Sequence, residues 1–124
     1  MSVCRPQGLG AGSKLRSRYF RKSRLIAVEP LADKFANELA WCDLEQANEV
    51  YSLGAEEYLQ ELESRADLII SINVLDHCYD FEKIAGNIYQ YLKPVGIAFL
   101  SFDSHKNIDP MHPLVLDQEI YNKI

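Results

Sequence analysis

Two groups of residues in this chain have types and spacing that could do chemistry. The first is Gly8, Gly10 and Gly12, followed 21 positions after Gly8 by Glu29. Alternate glycines let a backbone turn sharply and approach a ligand closely. Dinucleotide-binding βαβ units place an acid about 20 residues after the first glycine, because an ionised carboxylate accepts both vicinal hydroxyls of a ribose. A Gly-rich linker and a surface glutamate ending an edge strand would give the same letters, and the spacing is what favours the ligand. The second group is Asn73, Asp76, His77 and Asp80, placed directly after the apolar run Leu68, Ile69, Ile70 and Ile72. His77 is the candidate proton acceptor, since an imidazole ordinarily titrates near pH 6.5; a hydrogen-bonded loop histidine is the alternative. With His105, His112 and Cys78 it makes no short ligand spacing, so no metal site is expected.

The elements that must position these groups can be read from periodicity. The run at 68–72 is short, β-branched and does not alternate, which predicts a strand buried on both faces. Its carboxyl edge, from Asn73 to His77, is where open α/β sheets bind ligands. Residues 1–4 read as the last residues of a strand, and Ser13 caps a predicted helix to Phe20 or Lys22 with Leu15, Tyr19 and Phe20 on one face. Leu25–Val28 is a short strand ending on Glu29. Pro30 opens a helix whose Leu31, Phe35 and Leu39 recur at i, i+4 and i+8 beside Ala32 and Ala36. Residues 41–49 are polar and poorly periodic and read as a loop or an inserted half-helix. A strand at 50–53 and a turn at Gly54 lead to a predicted helix at 55–63 with Tyr58, Leu59 and Leu62 inward. Glu56 and Glu57 fall in its first turn, where a charge favoured by the helix dipole and a border to a ligand's base are both open readings. Asp80 caps a helix carried by Phe81, Ile84, Ala85, Ile88 and Leu92, which Lys93 and Pro94 end. Gly96 turns the chain into a strand at 97–102, and a last helix is expected from 115. This alternation predicts a right-handed, mostly parallel α/β sheet with helices on both faces.

The 124 residues amount to one domain, and a 48% hydrophobic and 25% charged composition is that of a soluble globular protein. No apolar stretch approaches the roughly 18 residues of a membrane span. Three cysteines without a C-x-x-C pair point to a reducing compartment, with the cytoplasm as expectation. Charge is lopsided: residues 1–28 hold seven cations and no acid, so a net charge of −5 leaves −12 for the remainder. The basic stretch from Lys14 to Arg24 reads as a solvated helix face, an RNA contact or a transit segment. The acidic remainder argues against strong phosphate binding.

The order G-L-G-A-G, a strand ending in Glu29, G-A-E-E, A-D-L-I-I-S-I-N-V-L-D-H and Y-L-K-P-V-G resembles the class I S-adenosylmethionine-dependent methyltransferases from about Val3 to Asp103. The most specific part is the pair formed by the segment from Asn73 to Asp80 and the L-K-P-V-G turn. The resemblance implies a Rossmann-like fold in which Gly8, Gly10 and Gly12 wrap the methionine portion of S-adenosyl-L-methionine and Glu29 holds its ribose. It further implies that Ala55 and Glu56 border the adenine, that Asn73 and Val74 lie beside the cofactor near the methyl group, and that His77 points to a small-molecule acceptor. A nucleic-acid or protein acceptor rests on the basic stretch alone. Two other classes stay open: a noncatalytic remnant or interaction module of this fold, and a NAD-binding oxidoreductase domain with Ser13 closing G-x-G-x-x-G, against which the L-K-P-V-G turn counts.

Two departures carry expectations of their own. Pro6 stands where the family carries an acid two positions ahead of the first glycine, and proline removes a ladder hydrogen bond, so the first strand is expected to be altered or absent. The family sheet finishes in two further strands, which Ile124 precedes. The chain is therefore expected to be a single partial domain over 1–124, incomplete at both ends, with a cofactor-binding core at about 3–103 and the start of an unfinished substrate-side region at 104–124. The edge of the strand at 97–102 would then be exposed and covered by a partner or by self-association.

Overall fold

The computed structural model describes residues 2–4, 7–9, 15–72, 75–104, 107–116, 119 and 122. They form a mostly parallel α/β sheet built from β1 (Ser2–Cys4), β2 (Gln7–Leu9), β3 (Leu25–Val28), β4 (Glu49–Tyr51), β5 (Ala66–Ile72) and β6 (Leu92–Ser101). β4 lies beside β3, β2 runs parallel to both β3 and β5, and β6 runs parallel to β5. Gly8 thus faces Ala27 on one side and Ile70 on the other. β1 is antiparallel to β3 and β5, with Val3 across from Ile26 and Ile69. The first strand is therefore present as Gln7–Leu9, and Gly8 stands inside it, not in a turn. Pro6, Gly10, Gly12, Ser13, Asn73, Val74 and His105 lie outside the described residues.

β3 is the strand buried on both faces: all four of its residues are inaccessible. Ile26 and Val28 face one cluster with Ile69, Ile84, Ile88 and Tyr91, and Leu25 and Ala27 face a second with Leu15, Ala32 and Leu44. Because side chains alternate across a strand, the two helices, α1 (Ala32–Glu38) and α2 (Phe81–Tyr91), cover opposite faces. α2 is the principal one. Phe81, Ile84, Asn87, Ile88 and Tyr91 recur on its inner face, and each buried isoleucine contributes roughly 1.5–3 kcal/mol. Asp80 caps it, its side chain accepting from the Lys83 N–H at 3.0 Å. α2 ends at Tyr91, and β6 begins at once with a register break at residues 93–96, where Val95 has φ 64°. A Cβ on Gly96 would sit 2.9 Å from the carbonyl oxygens of Ala66 and Lys93, so the turn requires glycine.

Several expectations are corrected. β5 is buried on one face only: Ile69 and Ser71 are covered by α2, whereas Leu68, Ile70 and Ile72 are half-buried because the second cluster gathers over β3. No α-helix runs to Phe20 or Lys22; Arg16–Tyr19 is a 3-10 turn that buries Leu15 and leaves Tyr19 and Phe20 exposed. In α1 only Ala32 is buried, since seven residues end at Leu39 and leave Leu31 in solvent. The polar stretch at 41–49, open between a loop and an inserted half-helix, holds a 3-10 turn, Leu44–Gln46, whose flanking Asp43 takes the Leu15 N–H and pairs with Arg18. The helix expected at 55–63 is a turn followed by a 3-10 turn, Gln60–Leu62, with Tyr58 exposed. After Tyr91 the described residues hold no α-helix, so the helix expected from 115 is not found among them. Among the described residues no helix is long and apolar enough to cross a membrane.

Candidate functional site

Parallel strands bring their carboxyl ends to one edge, and that edge collects the candidate residues. Glu29 follows β3 directly. Its backbone N–H donates to Tyr51 O at the end of β4 (3.0 Å), and its Oε1 accepts from the Leu31 N–H at 3.1 Å. Glu29 is 6% exposed as a residue, and its ionised carboxylate is an acceptor-only group whose direction is fixed by backbone on both sides. Ser52 continues this corner by accepting from the Asp33 N–H at 3.3 Å, which ties the start of α1 to the end of β4.

The turn that holds Ala55 and Glu56 is shaped by α2. Ala55 is buried, and its carbonyl accepts from Asn87 Nδ2 at 2.8 Å. Tyr91 Oη accepts from the Leu59 N–H at 2.8 Å and donates to Glu57 O at 3.3 Å. An α-helix here would have joined the Ala55 carbonyl to the Leu59 N–H, and both groups are taken by α2 side chains instead. Burial pushes the Tyr91 phenol up and keeps it a donor. Glu56 Oε1 accepts from the Tyr79 N–H at 3.0 Å, which links this turn to the loop after β5. Asn87 and Tyr91 are thus positioning residues that the periodicity did not single out. Their signal was a polar pair at i, i+4 on the inward face of an amphipathic helix.

His77 closes the 3-10 turn Leu75–His77, downstream of the end of β5. Its Nδ1 lies 2.7 Å from Met111 O. A carbonyl accepts only, so Nδ1 carries the proton and Nε2 is the basic nitrogen of the neutral ring. The ring stacks on His112 with centroids 4.8 Å apart. His112 Nδ1 in turn approaches Asp109 Oδ2 at 2.9 Å, and Asp109 Oδ1 also accepts from the N–H groups of Met111 and His112. The hydrogen bond from His112 holds the Asp109 carboxyl below its ordinary value. Residues 109–112 therefore form a tight turn, self-paired through the Asp109 and His112 backbones, that fixes the orientation of His77. Sequence spacing could not show this, since the two histidines are 35 positions apart.

Elsewhere, Arg18 of the basic stretch pairs with Asp43 and Arg24 with Glu49, so two of its cations are engaged in ion pairs within the chain. No group of three or more His, Cys, Asp or Glu among the described residues could hold a metal ion. A carboxyl edge with a buried glutamate after the second parallel strand and an oriented imidazole after the fourth can bind a ribose and accept a proton. A family model described as a methyltransferase domain matches residues 8–100. A comparison with curated proteins gives no match.

Proposed function

The chain belongs to the class I S-adenosylmethionine-dependent methyltransferase family, and from that premise we propose that it binds S-adenosyl-L-methionine along the carboxyl edge and methylates a small-molecule acceptor beside His77. The observation that carries this is Glu29: a buried glutamate, its carboxylate oriented by the Leu31 N–H, at the end of the parallel strand next to β2. A ribose presents two hydroxyl donors, and an acceptor-only group is what receives both, so donor set and residue fit.

When bound, S-adenosyl-L-methionine would supply a methyl carbon activated by its sulfonium, with the neutral thioether as leaving group. Positioning therefore carries most of the rate, and no nucleophilic side chain is called for. Family resemblance assigns Gly8, Gly10 and Gly12 to the methionine portion of the ligand, and Asn73 and Val74 to its flank near the methyl group. Ala55 and Glu56 border the base, held by Asn87 and by the Tyr79 N–H. His77 takes the acceptor's proton on Nε2, the nitrogen that its bond to Met111 O leaves basic.

Thermal unfolding of the chain with and without ligand tests the assignment. Native-state binding at about 100 times Kd should add roughly 2.7 kcal/mol for S-adenosyl-L-methionine or its demethylated product. NAD should leave the transition where it was. An unmoved transition with both S-adenosyl-L-methionine and its demethylated product would overturn the proposal, and a shift with NAD alone would replace it with the oxidoreductase reading.

A further inference from the structure

Two hydrogen bonds leave the segment at 75–80 for two different turns. The Tyr79 N–H donates to Glu56 Oε1 at 3.0 Å, in the turn assigned to the ligand's base, and His77 Nδ1, two residues earlier, donates to Met111 O at 2.7 Å on the acceptor side. The segment between them has little slack. Its Cys78 N–H closes on Leu75 O at 3.3 Å, and Leu75, Cys78 and Phe81 recur at i, i+3 and i+6 in the cluster that α2 covers. That apolar side is pinned to the core, while His77 and Tyr79 are exposed. Glu56 is placed as firmly. The carbonyl of Ala55 before it is held by Asn87 Nδ2, and a Cβ added at Gly54 would stand 3.1 Å from Glu56 Oε2, so the carboxylate folds back over a backbone kept clear for it.

We propose that Glu56 is a positioning residue for His77: its carboxylate holds the Tyr79 N–H, and a bound ligand whose base engages that carboxylate thereby sets the imidazole for the acceptor. The link rests on the carboxyl edge being the site of S-adenosyl-L-methionine. An ionised carboxylate has two oxygens and about four acceptor positions, so it can take the Tyr79 N–H and the exocyclic amine of an adenine together. In the free chain the bond from the Tyr79 N–H is exposed to water, which competes for both partners. A base laid over it excludes that water, and the bond strengthens as the local dielectric falls. With Tyr79 fixed, a segment this short leaves the peptide at His77 no room to turn, and the ring keeps its bond to Met111 O. The ligand shifts the segment only as far as it favours the linked form over the open one. The consequence is an order of binding: the acceptor meets an oriented base only after the methyl donor is in place.

Nitrogen NMR of the His77 ring and amide exchange at Tyr79 test this on the 124-residue chain. In the free chain Glu56→Ala should let His77 sample both tautomers, whereas Glu56→Gln, whose amide oxygen still accepts the Tyr79 N–H, should keep the proton on Nδ1 as the parent does. Saturation of the parent with the demethylated product of S-adenosyl-L-methionine should slow exchange at Tyr79 by about tenfold or more. That reading needs no variant, so it decides if Glu56→Ala does not fold. A parent-like His77 in Glu56→Ala, or a Tyr79 amide indifferent to bound ligand, would overturn the link, while a ligand-raised melting temperature leaves the family's ligand in its site. A melting temperature that neither S-adenosyl-L-methionine nor this product raises overturns the site itself, and with it the ligand's part in the link; His77 in free Glu56→Ala then decides whether Glu56 positions it.

Discussion

At Glu29 the decisive property is charge, because shape can be conserved while charge is removed. Glu29→Gln keeps an acceptor for the Leu31 N–H, yet a neutral amide makes weaker hydrogen bonds to ribose hydroxyls than a carboxylate does. The expected loss is about 1–2 kcal/mol, or roughly 5–30-fold in affinity for S-adenosyl-L-methionine by calorimetry, with the melting temperature of the free chain little changed. Unaltered affinity would remove Glu29 from the ribose site. His77 separates from it by function: His77→Gln should leave that affinity intact and lower turnover on a proton-bearing acceptor by about 10²–10⁴. The 109–112 turn acts one step back. Asp109→Ala frees the turn that carries Met111 O, and nitrogen NMR should then show His77 sampling both tautomers where the parent chain holds the proton on Nδ1. A single unchanged tautomer would mean that Asp109 only shapes its own loop.

Among the elements, α2 does most of the organising, and it was also the most legible. Its apolar period, its Asp80 cap and its stop before Pro94 all agree, and the helix found is 81–91. Legibility fails where local pattern meets a tertiary competitor. Residues 55–63 carry a helical stripe, but Asn87 and Tyr91 capture the two backbone groups that the helix would have joined. The strand at 68–72 reads as doubly buried, yet burial depends on what lies above it, and the element that packs deepest on that side covers β3 instead. The site divides in the same way. Glu29 was visible from spacing and lands at a strand end, whereas the Met111 and His112 contacts of His77 join segments that no local rule connects. Tyr91→Phe isolates the tertiary contribution: it keeps the ring stacked on Tyr58, 5.6 Å away, and deletes only the hydroxyl. The Leu59 N–H then loses its acceptor, so stability should fall by about 1–3 kcal/mol in denaturant unfolding. Exchange at residues 55–59 should rise first. An unchanged midpoint would mean that this turn holds itself.

Over the whole molecule the two edges of the parallel sheet have separate roles. The carboxyl edge gathers the candidate site; the amino edge is tied together by charge. Arg24 just before β3 and Arg65 just before β5 both reach Glu49 Oε2, at 3.1 and 2.9 Å, and Tyr51 Oη donates to Glu49 Oε1 at 3.1 Å. Burial raises the Glu49 carboxyl, but the hydrogen bonds from Arg65, Arg24 and Tyr51 outweigh it and hold the group below its ordinary value. An acid whose folded value is depressed contributes stability in full above its unfolded pKa, near 4.3, and loses it as pH falls through the folded value. The stability of the chain should therefore decline as pH falls below about 4.3, and Glu49→Gln should flatten that decline. At neutral pH the same substitution should cost on the order of 1 kcal/mol, since the pairs are partly solvated, and lower the melting temperature by about 4 °C. Affinity for S-adenosyl-L-methionine at neutral pH should not change, because Glu49 lies at the opposite ends of the strands from Glu29 and His77. Parallel acid titrations of parent and variant by thermal unfolding decide it. Identical slopes would show that the arginine cluster spans the strand ends without holding them together, and a loss of ligand affinity would show that the two edges are coupled through β3.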